Sequence, residues 1–305
     1  MKIFIDKKAF KIENFDRIAN QLKVHEIITE VEKGYDSEII IVEPSYCIRE
    51  NLEKYKNLKW IQSLRAGFDT VDLDYIRERN IVFTNAKDVY SISIAEDVIA
   101  KILVLNRNVK TYIKNMENEE WLPNFNEPEI YNSTVGIIGM GSIAKEIAKR
   151  IKAFNTTVLG YRRTNKEEEY FDQILTGEDG LNQLLKVSDY VILTVPLNNG
   201  TKHMINKEKL DLMKPSALLI NIARGAVVVQ EYLITALKEK TIRGAGLDVV
   251  MPEPLPKGNE LWSLDNVYLT PHCSPASPHI NTRLTDLILE NLRRYLENKE
   301  LLHIV

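Results

Sequence analysis

The 305-residue sequence predicts an α/β protein of two doubly wound parallel-sheet domains, the second inserted into a discontinuous first. Three observations predict it. Short β-rich runs alternate with helical patterns along most of the chain, which is the signature of parallel βαβ units. A glycine fingerprint of the kind that opens a doubly wound domain begins only at Gly139, after a long preceding segment. The last strand pattern ends at Leu269, and the closing helical stretch has no sheet of its own.

In chain order, the first set of strands is read at Ile3–Ile5, Glu38–Val42, Lys59–Ser63 and Ile81–Thr84. Helical stretches at Leu52–Lys56 and Leu73–Arg79 lie among them. A single long helix is expected over Ser93–Lys114, with Ile94, Val98, Ile102 and Leu105 at helical spacing, and a polar acidic loop follows over Asn115–Glu129. The second set of strands is read at Val135–Ile138, Thr157–Tyr161, Tyr190–Leu193, Ala217–Ile220, Gly244–Leu247 and Val267–Leu269. A helix over His279–Glu297 closes the chain and is expected to return to the first domain. The expected domains are residues 1–94 with 271–305, and residues 95–270, with a ligand cleft between them.

The run from Thr134 to Ala144 reads as a buried strand, a tight turn and a helix start. Gly139 permits the turn, Gly141 lets backbone approach a pyrophosphate, and Ala144 lets helix and strand pack closely. In this context the pattern is a Rossmann-type dinucleotide site, with the pyrophosphate on the helix beginning near Ser142. NAD-preferring folds carry an acid about 20 residues further on, for the ribose hydroxyls. Here Arg162 and Arg163 stand at that point, followed by Thr164. Guanidiniums suit a 2′-phosphate, so NADP is the expected cofactor, with NAD possible.

Three more segments place polar residues just past strand ends, the edge where open α/β sheets bind ligands. These are Asn221-Ile222-Ala223-Arg224-Gly225, then Gly246-Leu247-Asp248-Val249 with Glu253 shortly after, and Thr270-Pro271-His272. Arginine can grip a carboxylate with two hydrogen bonds. Histidine can exchange a proton near neutral pH, and a glutamate beside it would favour the imidazolium and fix the ring. Arg224, Glu253 and His272 are therefore the candidate catalytic set.

Composition narrows the alternatives. A net charge of −3 gives no case for nucleic acid or an anionic membrane, and no apolar run is long enough to span a bilayer. The start, Met1 to Asp6, reads as a short strand rather than a signal peptide. Two cysteines far apart, Cys47 and Cys273, suit a reducing cytoplasm. No His, Cys and acid cluster has metal-ligand spacing, so no metal is expected.

The sequence resembles the D-isomer-specific 2-hydroxyacid dehydrogenases. The motifs that carry the resemblance run in one order: Leu58-Lys59-Trp60-Ile61 leading to Ala66-Gly67-Phe68-Asp69, Ile94-Ala95-Glu96, the fingerprint, Asn221 through Gly225, Ala245 through Val249, Glu253-Pro254-Leu255-Pro256, and Thr270-Pro271-His272. The resemblance implies hydride transfer between NAD(P)H and a small 2-oxo or 2-hydroxy acid. Arg224 would hold the substrate carboxylate and C2 oxygen, His272 would be the acid/base with Glu253 as its partner, and backbone N–H groups near Ala66 and Gly67 would bind the carboxylate. Asp248 would bond the nicotinamide carboxamide. Ser142, Ile143, Val195, Pro196, Ala223 and Ser274 would complete the cofactor contacts. A homodimer is expected, with the Ser93–Lys114 helix as its contact.

Rival readings are a cofactor-sensing corepressor-like binding protein on the same fold, or a formate or phosphite dehydrogenase. His203, His279 and His303 read as structural groups, Cys273 as a packing residue, and Trp121 as an interface or packing residue. Two departures from the family pattern stand out. Arg162 replaces the acid, and Thr194-Val195-Pro196-Leu197 lacks the polar residue that often precedes the proline, which leaves backbone contacts there.

Overall fold

A computed structural model describes residues 1–305, which divide into two compact units: residues 1–90 with 277–305, and residues 91–276. The second unit therefore takes in 91–94 and 271–276, which the sequence pattern assigns to the first. The reason is local. The helix Ser91–Asn106 is one continuous element, and the backbone N–H of His272 is hydrogen-bonded to the carbonyl of Asp248.

The first unit holds β1 (Lys2–Ile5), β2 (Glu26–Ile28), β3 (Ile39–Val42), β4 (Trp60–Ser63) and β5 (Val82–Thr84), all parallel, in the order β2-β1-β3-β4-β5. The central strand β3 is buried throughout, which explains its unbroken Ile-Ile-Ile-Val run. The closing helix, Ile280–Leu296, packs on the helix Ile12–Gln21. Arg17 pairs with Asp286 at 2.6 Å, the amide of Gln21 donates to the Leu289 carbonyl, and Tyr295 stacks on Trp60 with ring centres 5.3 Å apart.

The second unit holds β6 (Thr134–Ile138), β7 (Thr157–Tyr161), β8 (Gln173–Leu175), β9 (Tyr190–Leu193), β10 (Leu218–Asn221), β11 (Gly244–Leu247) and β12 (Val267–Leu269). They form one parallel sheet in the order β12-β11-β10-β9-β6-β7-β8. The chain winds outward one way from β6 to β8 and the other way from β9 to β12, so the switch point lies between β6 and β9. Leu181, Leu184, Val191, Leu219 and Leu247 contribute to its core.

Several elements differ from the sequence reading. The long helix is two, Ser91–Asn106 and Val109–Glu117, broken where Asn108 takes a left-handed φ of 47°. The expected helix at Leu52–Lys56 is a single turn at Arg49–Leu52. The strands β2 and β8 were not anticipated; each is three residues long at a sheet edge and incompletely buried. Cys273 is exposed rather than packed. No helix is long and apolar enough to cross a membrane.

Candidate active site

The functional side chains of the second unit line the carboxyl edge of its sheet. From β12 to β7 the strand ends lead to His272, Asp248, Arg224, Thr194, Gly139 and Arg162. At about 4.8 Å per strand this row spans roughly 24 Å.

At the switch point Gly139 has φ +96°, and a Cβ there would sit 2.9 Å from the Val195 nitrogen. Only glycine fits. The hydroxyl of Thr194 donates to the Gly139 carbonyl at 2.9 Å, and the Gly139 N–H donates to the Tyr161 carbonyl, so the turn is pinned from both neighbouring strands. Gly141 differs, because a Cβ there would meet nothing within 4 Å. It stands directly before the helix Ser142–Ile151, whose N-terminus has no side-chain cap. Uncapped N–H groups beside open space suit a pyrophosphate. Ala144 is fully buried, as close helix packing requires, while the Ser142 hydroxyl bonds that of Ser91 and Ile143 is half-buried.

Past β7 the Arg162 guanidinium lies 3.8 Å from Glu168, whose other oxygen pairs with Lys145 at 3.0 Å. The Lys145 hydrogen bond holds the Glu168 carboxyl below its ordinary range despite partial burial. Neither Lys145 nor Glu168 was anticipated. Lys145 carries no motif, and Glu168 meets Arg162 only through the fold of its loop. Arg163 and Thr164 are exposed. Past β9, Val195 packs on the core and Pro196 is exposed.

Past β10 the chain turns tightly. The Asn221 side chain accepts from the Ala223 N–H and donates to the Arg224 carbonyl, and the Arg224 guanidinium donates to the Ala223 carbonyl at 2.7 Å. A Cβ on Gly225 would fall 2.0 Å from the Val250 carbonyl oxygen, so this glycine brings the arginine turn against the segment leading to Glu253. His272 Nδ1 and Glu253 Oε2 stand 2.7 Å apart, and the other Glu253 oxygen accepts the Val250 N–H. His272 has a left-handed φ of 51°, held by its N–H to the carbonyls of Asp248 and Thr270. Such conformations cost about 1–3 kcal/mol and collect at functional sites.

Asp248 is buried and accepts hydrogen bonds from the Thr270 hydroxyl and the N–H groups of Cys273 and Ser274. Burial opposes its charge, but the Ser274 and Thr270 bonds, helped by the charge of Lys101, outweigh it and hold the carboxyl below its ordinary value. The structure thus brings His272 to Glu253, Asp248 to Ser274, and Gly139 to Val195. Ala66 and Gly67 belong to the first unit, in the segment after β4, where the Asn85 amide donates to the Ala66 carbonyl.

The chain is similar to several known proteins. Residues 99–274 match the family model for the D-isomer specific 2-hydroxyacid dehydrogenase, NAD binding domain. The glyoxylate reductase of Pyrococcus furiosus is 38% identical over 292 residues, covering 90% of this chain and 86% of that one. The structure of an acyclic imino acid reductase in complex with NADPH and D-Arg superposes with a TM-score of 0.87 at 26% identity, over 100% of both chains. That of D-lactate dehydrogenase from Aquifex aeolicus, complexed with NAD and lactic acid, gives 0.78 at 27%, over 98% of this chain and 96% of that one. The chain belongs to the D-isomer-specific 2-hydroxyacid dehydrogenase family, and it is an oxidoreductase that moves hydride between a nicotinamide cofactor and 2-oxo or 2-hydroxy acids.

Proposed function

We propose that this enzyme reduces small 2-oxo acids of the glyoxylate type with NADPH in preference to NADH, using Arg224, His272 and Glu253. The observation that carries the catalytic reading is the 2.7 Å contact between His272 Nδ1 and Glu253. With Nδ1 occupied, Nε2 is the nitrogen left to face substrate. The nicotinamide, when bound, supplies the hydride to C2. His272 gives the proton from Nε2 to the C2 oxygen, and Glu253 balances the imidazolium before that transfer. Arg224 grips the carboxylate and offsets the charge that builds on the oxygen. Backbone N–H groups of Ala66 and Gly67 are proposed as further carboxylate donors.

For the cofactor, Gly139, Gly141, Ser142 and Ile143 would hold the pyrophosphate, with Val195, Pro196 and Ala223 beside it. Asp248 and Ser274 would hold the carboxamide end. Arg162, Arg163 and Thr164 would take the 2′-phosphate. A charge-assisted hydrogen bond is worth about 1.5–3 kcal/mol, roughly ten- to a hundredfold. Glu168 already shares the Arg162 and Lys145 charges, which supports the lower end, about tenfold.

The chain is also proposed to form a homodimer in the cytoplasm. Supporting the dimer, Trp121 is 96% and Phe125 91% exposed, and Met116 and Leu122 lie exposed on the same segment. Supporting the compartment, both cysteines are free. The test of function is a panel of 2-oxo acids with NADPH and NADH, followed by absorbance loss. Turnover of glyoxylate with an NADPH-to-NADH ratio of kcat/KM above one is expected. Turnover confined to another 2-oxo acid, or a ratio below one, would overturn the respective half of the proposal.

A further inference from the structure

The helix Ser91–Asn106 carries a charge into the interior of the second unit. The Lys101 side chain is fully buried. Its ammonium meets Asp97 Oδ2 at 2.5 Å, one turn back, and Thr270 Oγ1 at 2.7 Å, and it lies 5.9 Å from the centre of the Tyr268 ring. Gly246 makes the approach possible, since a Cβ there would sit 3.0 Å from Lys101 Cβ.

The donor–acceptor order along this chain is fixed. An ammonium only donates, so Thr270 must accept from it and turn its own proton toward Asp248 Oδ1, 2.6 Å away. Asp248 then accepts from Cys273 and Ser274, and its carbonyl accepts from His272. The groups facing Lys101 are Asp97 from its own helix, Tyr268 on β12, and Thr270 and Asp248 beyond the strand ends. Two carboxylates and one cation share this interior. Burial, with the added charge of Asp248, pushes the Asp97 carboxyl up against the pull of Lys101. A buried ion pair is weak evidence for a stabilising role, because well-packed apolar groups often replace one at no cost. Its connection to Asp248 and to the His272 turn is the more specific feature.

We propose that Lys101 is a positioning residue, which orients the Thr270 hydroxyl and through it aims Asp248 at the nicotinamide carboxamide while setting the turn that carries His272. This inference rests on the cofactor role assigned above to Asp248.

The test uses the full-length enzyme with NADPH and its best 2-oxo acid from the panel. Lys101→Met keeps the side-chain length and removes the charge. Buried Asp248 and half-buried Asp97 then face each other without a cation, and one retains a proton to higher pH. The expected result is about a tenfold loss of kcat at neutral pH, with a new acid limb below which activity fades, and a lowered melting temperature, because the carboxylates lose their cation. Thr270→Val, which breaks the relay and leaves the charges, should lower kcat without that limb. The double variant Asp97→Asn, Lys101→Met should lose the limb and keep the reduced kcat.

Asp248→Asn is run beside them. If it retains wild-type kcat and KM, the assignment of Asp248 fails. If it is impaired while Lys101→Met keeps the wild-type kcat, KM and pH profile, the inference about Lys101 alone is overturned. Should Lys101→Met not fold, Thr270→Val decides. A wild-type kcat there contradicts the relay, and a reduced kcat at unchanged melting temperature supports it.

Discussion

Both units are built on a parallel sheet, of five strands in the first and seven in the second, and the turn after the first strand of each separates them in function. In the first, the chain leaves β1 and runs through residues 6–11, with a short 3-10 turn at Lys7–Ala9, before the helix Ile12–Gln21 begins. No glycine lies in that connection, and the Lys11 N–H at the helix start is taken by the Asn281 side chain of the closing helix. In the second, residues 139–141 suffice between β6 and the helix Ser142–Ile151; neither helix has a side-chain cap, but here the start is a glycine with open space beside it. A parallel sheet with flanking helices is thus not a cofactor site in itself. The site comes from a connection short enough to aim bare N–H groups at open space, and from polar residues beyond neighbouring strand ends.

The sharpest way to break this comparison is at the two glycines. Gly139→Val would place a β-branched residue at φ +96° against the Val195 backbone. It should lower the melting temperature and abolish NADPH binding in a fluorescence titration. Gly141→Ala should keep the wild-type melting temperature, because its methyl meets no protein atom within 4 Å, yet weaken NADPH binding at least tenfold, by about 1.4 kcal/mol or more. Lys11→Ala in the first unit should leave cofactor affinity unchanged. If Gly141→Ala binds NADPH as tightly as wild type, the open turn is not the cofactor's seat.

The next effect in size concerns the far end of the same edge. Arg162→Asp removes an attraction for the 2′-phosphate and adds a repulsion, so the NADPH-to-NADH ratio of kcat/KM should fall about ten- to a hundredfold. The wild-type preference should shrink with added salt, since Arg163 and Thr164 are exposed. A ratio indifferent to this substitution would remove Arg162 from the cofactor site.

The smallest effect belongs to the first unit. Hydrogen bonds from Arg293 and Arg294 hold the Glu290 carboxyl down at about 2, against an ordinary value of 4.5. A depressed carboxyl adds stability above its unfolded value and loses it as pH falls through the folded one. Wild type should therefore exceed Glu290→Gln slightly in urea midpoint at neutral pH, with the difference fading from pH 4.5 toward about 2. Catalysis should not change. A gap that persists at pH 2 would contradict the pairing.

Much of this was legible because the decisive signals are local. The fingerprint from Gly139 to Ala144 needs only its own spacing, and β3 announces itself by an apolar run that both faces of a parallel strand require. What was not legible depends on distant neighbours or on one backbone angle. The apolar period continues past Asn106, so nothing in the pattern reveals the left-handed Asn108 that breaks the helix. The edge strands β2 and β8 are three residues long, with no fully buried face to write a pattern. Lys101 falls on the apolar face, three residues after Val98, but nothing in the sequence names Asp97 and Thr270 as the groups that meet its charge there. Glu168 gains meaning only from standing opposite Arg162 and Lys145.

The most direct test is single-turnover hydride transfer by His272→Asn, with saturating NADPH and 2-oxo acid. A general acid contributes about 10²–10⁴-fold, so the rate should fall by that factor while NADPH affinity stays at the wild-type value. In Glu253→Gln the same measurement should show a smaller loss of rate, because a neutral amide fixes the imidazole ring through Nδ1 less firmly than the carboxylate does. A His272→Asn enzyme that transfers hydride at close to the wild-type rate across pH would contradict the account.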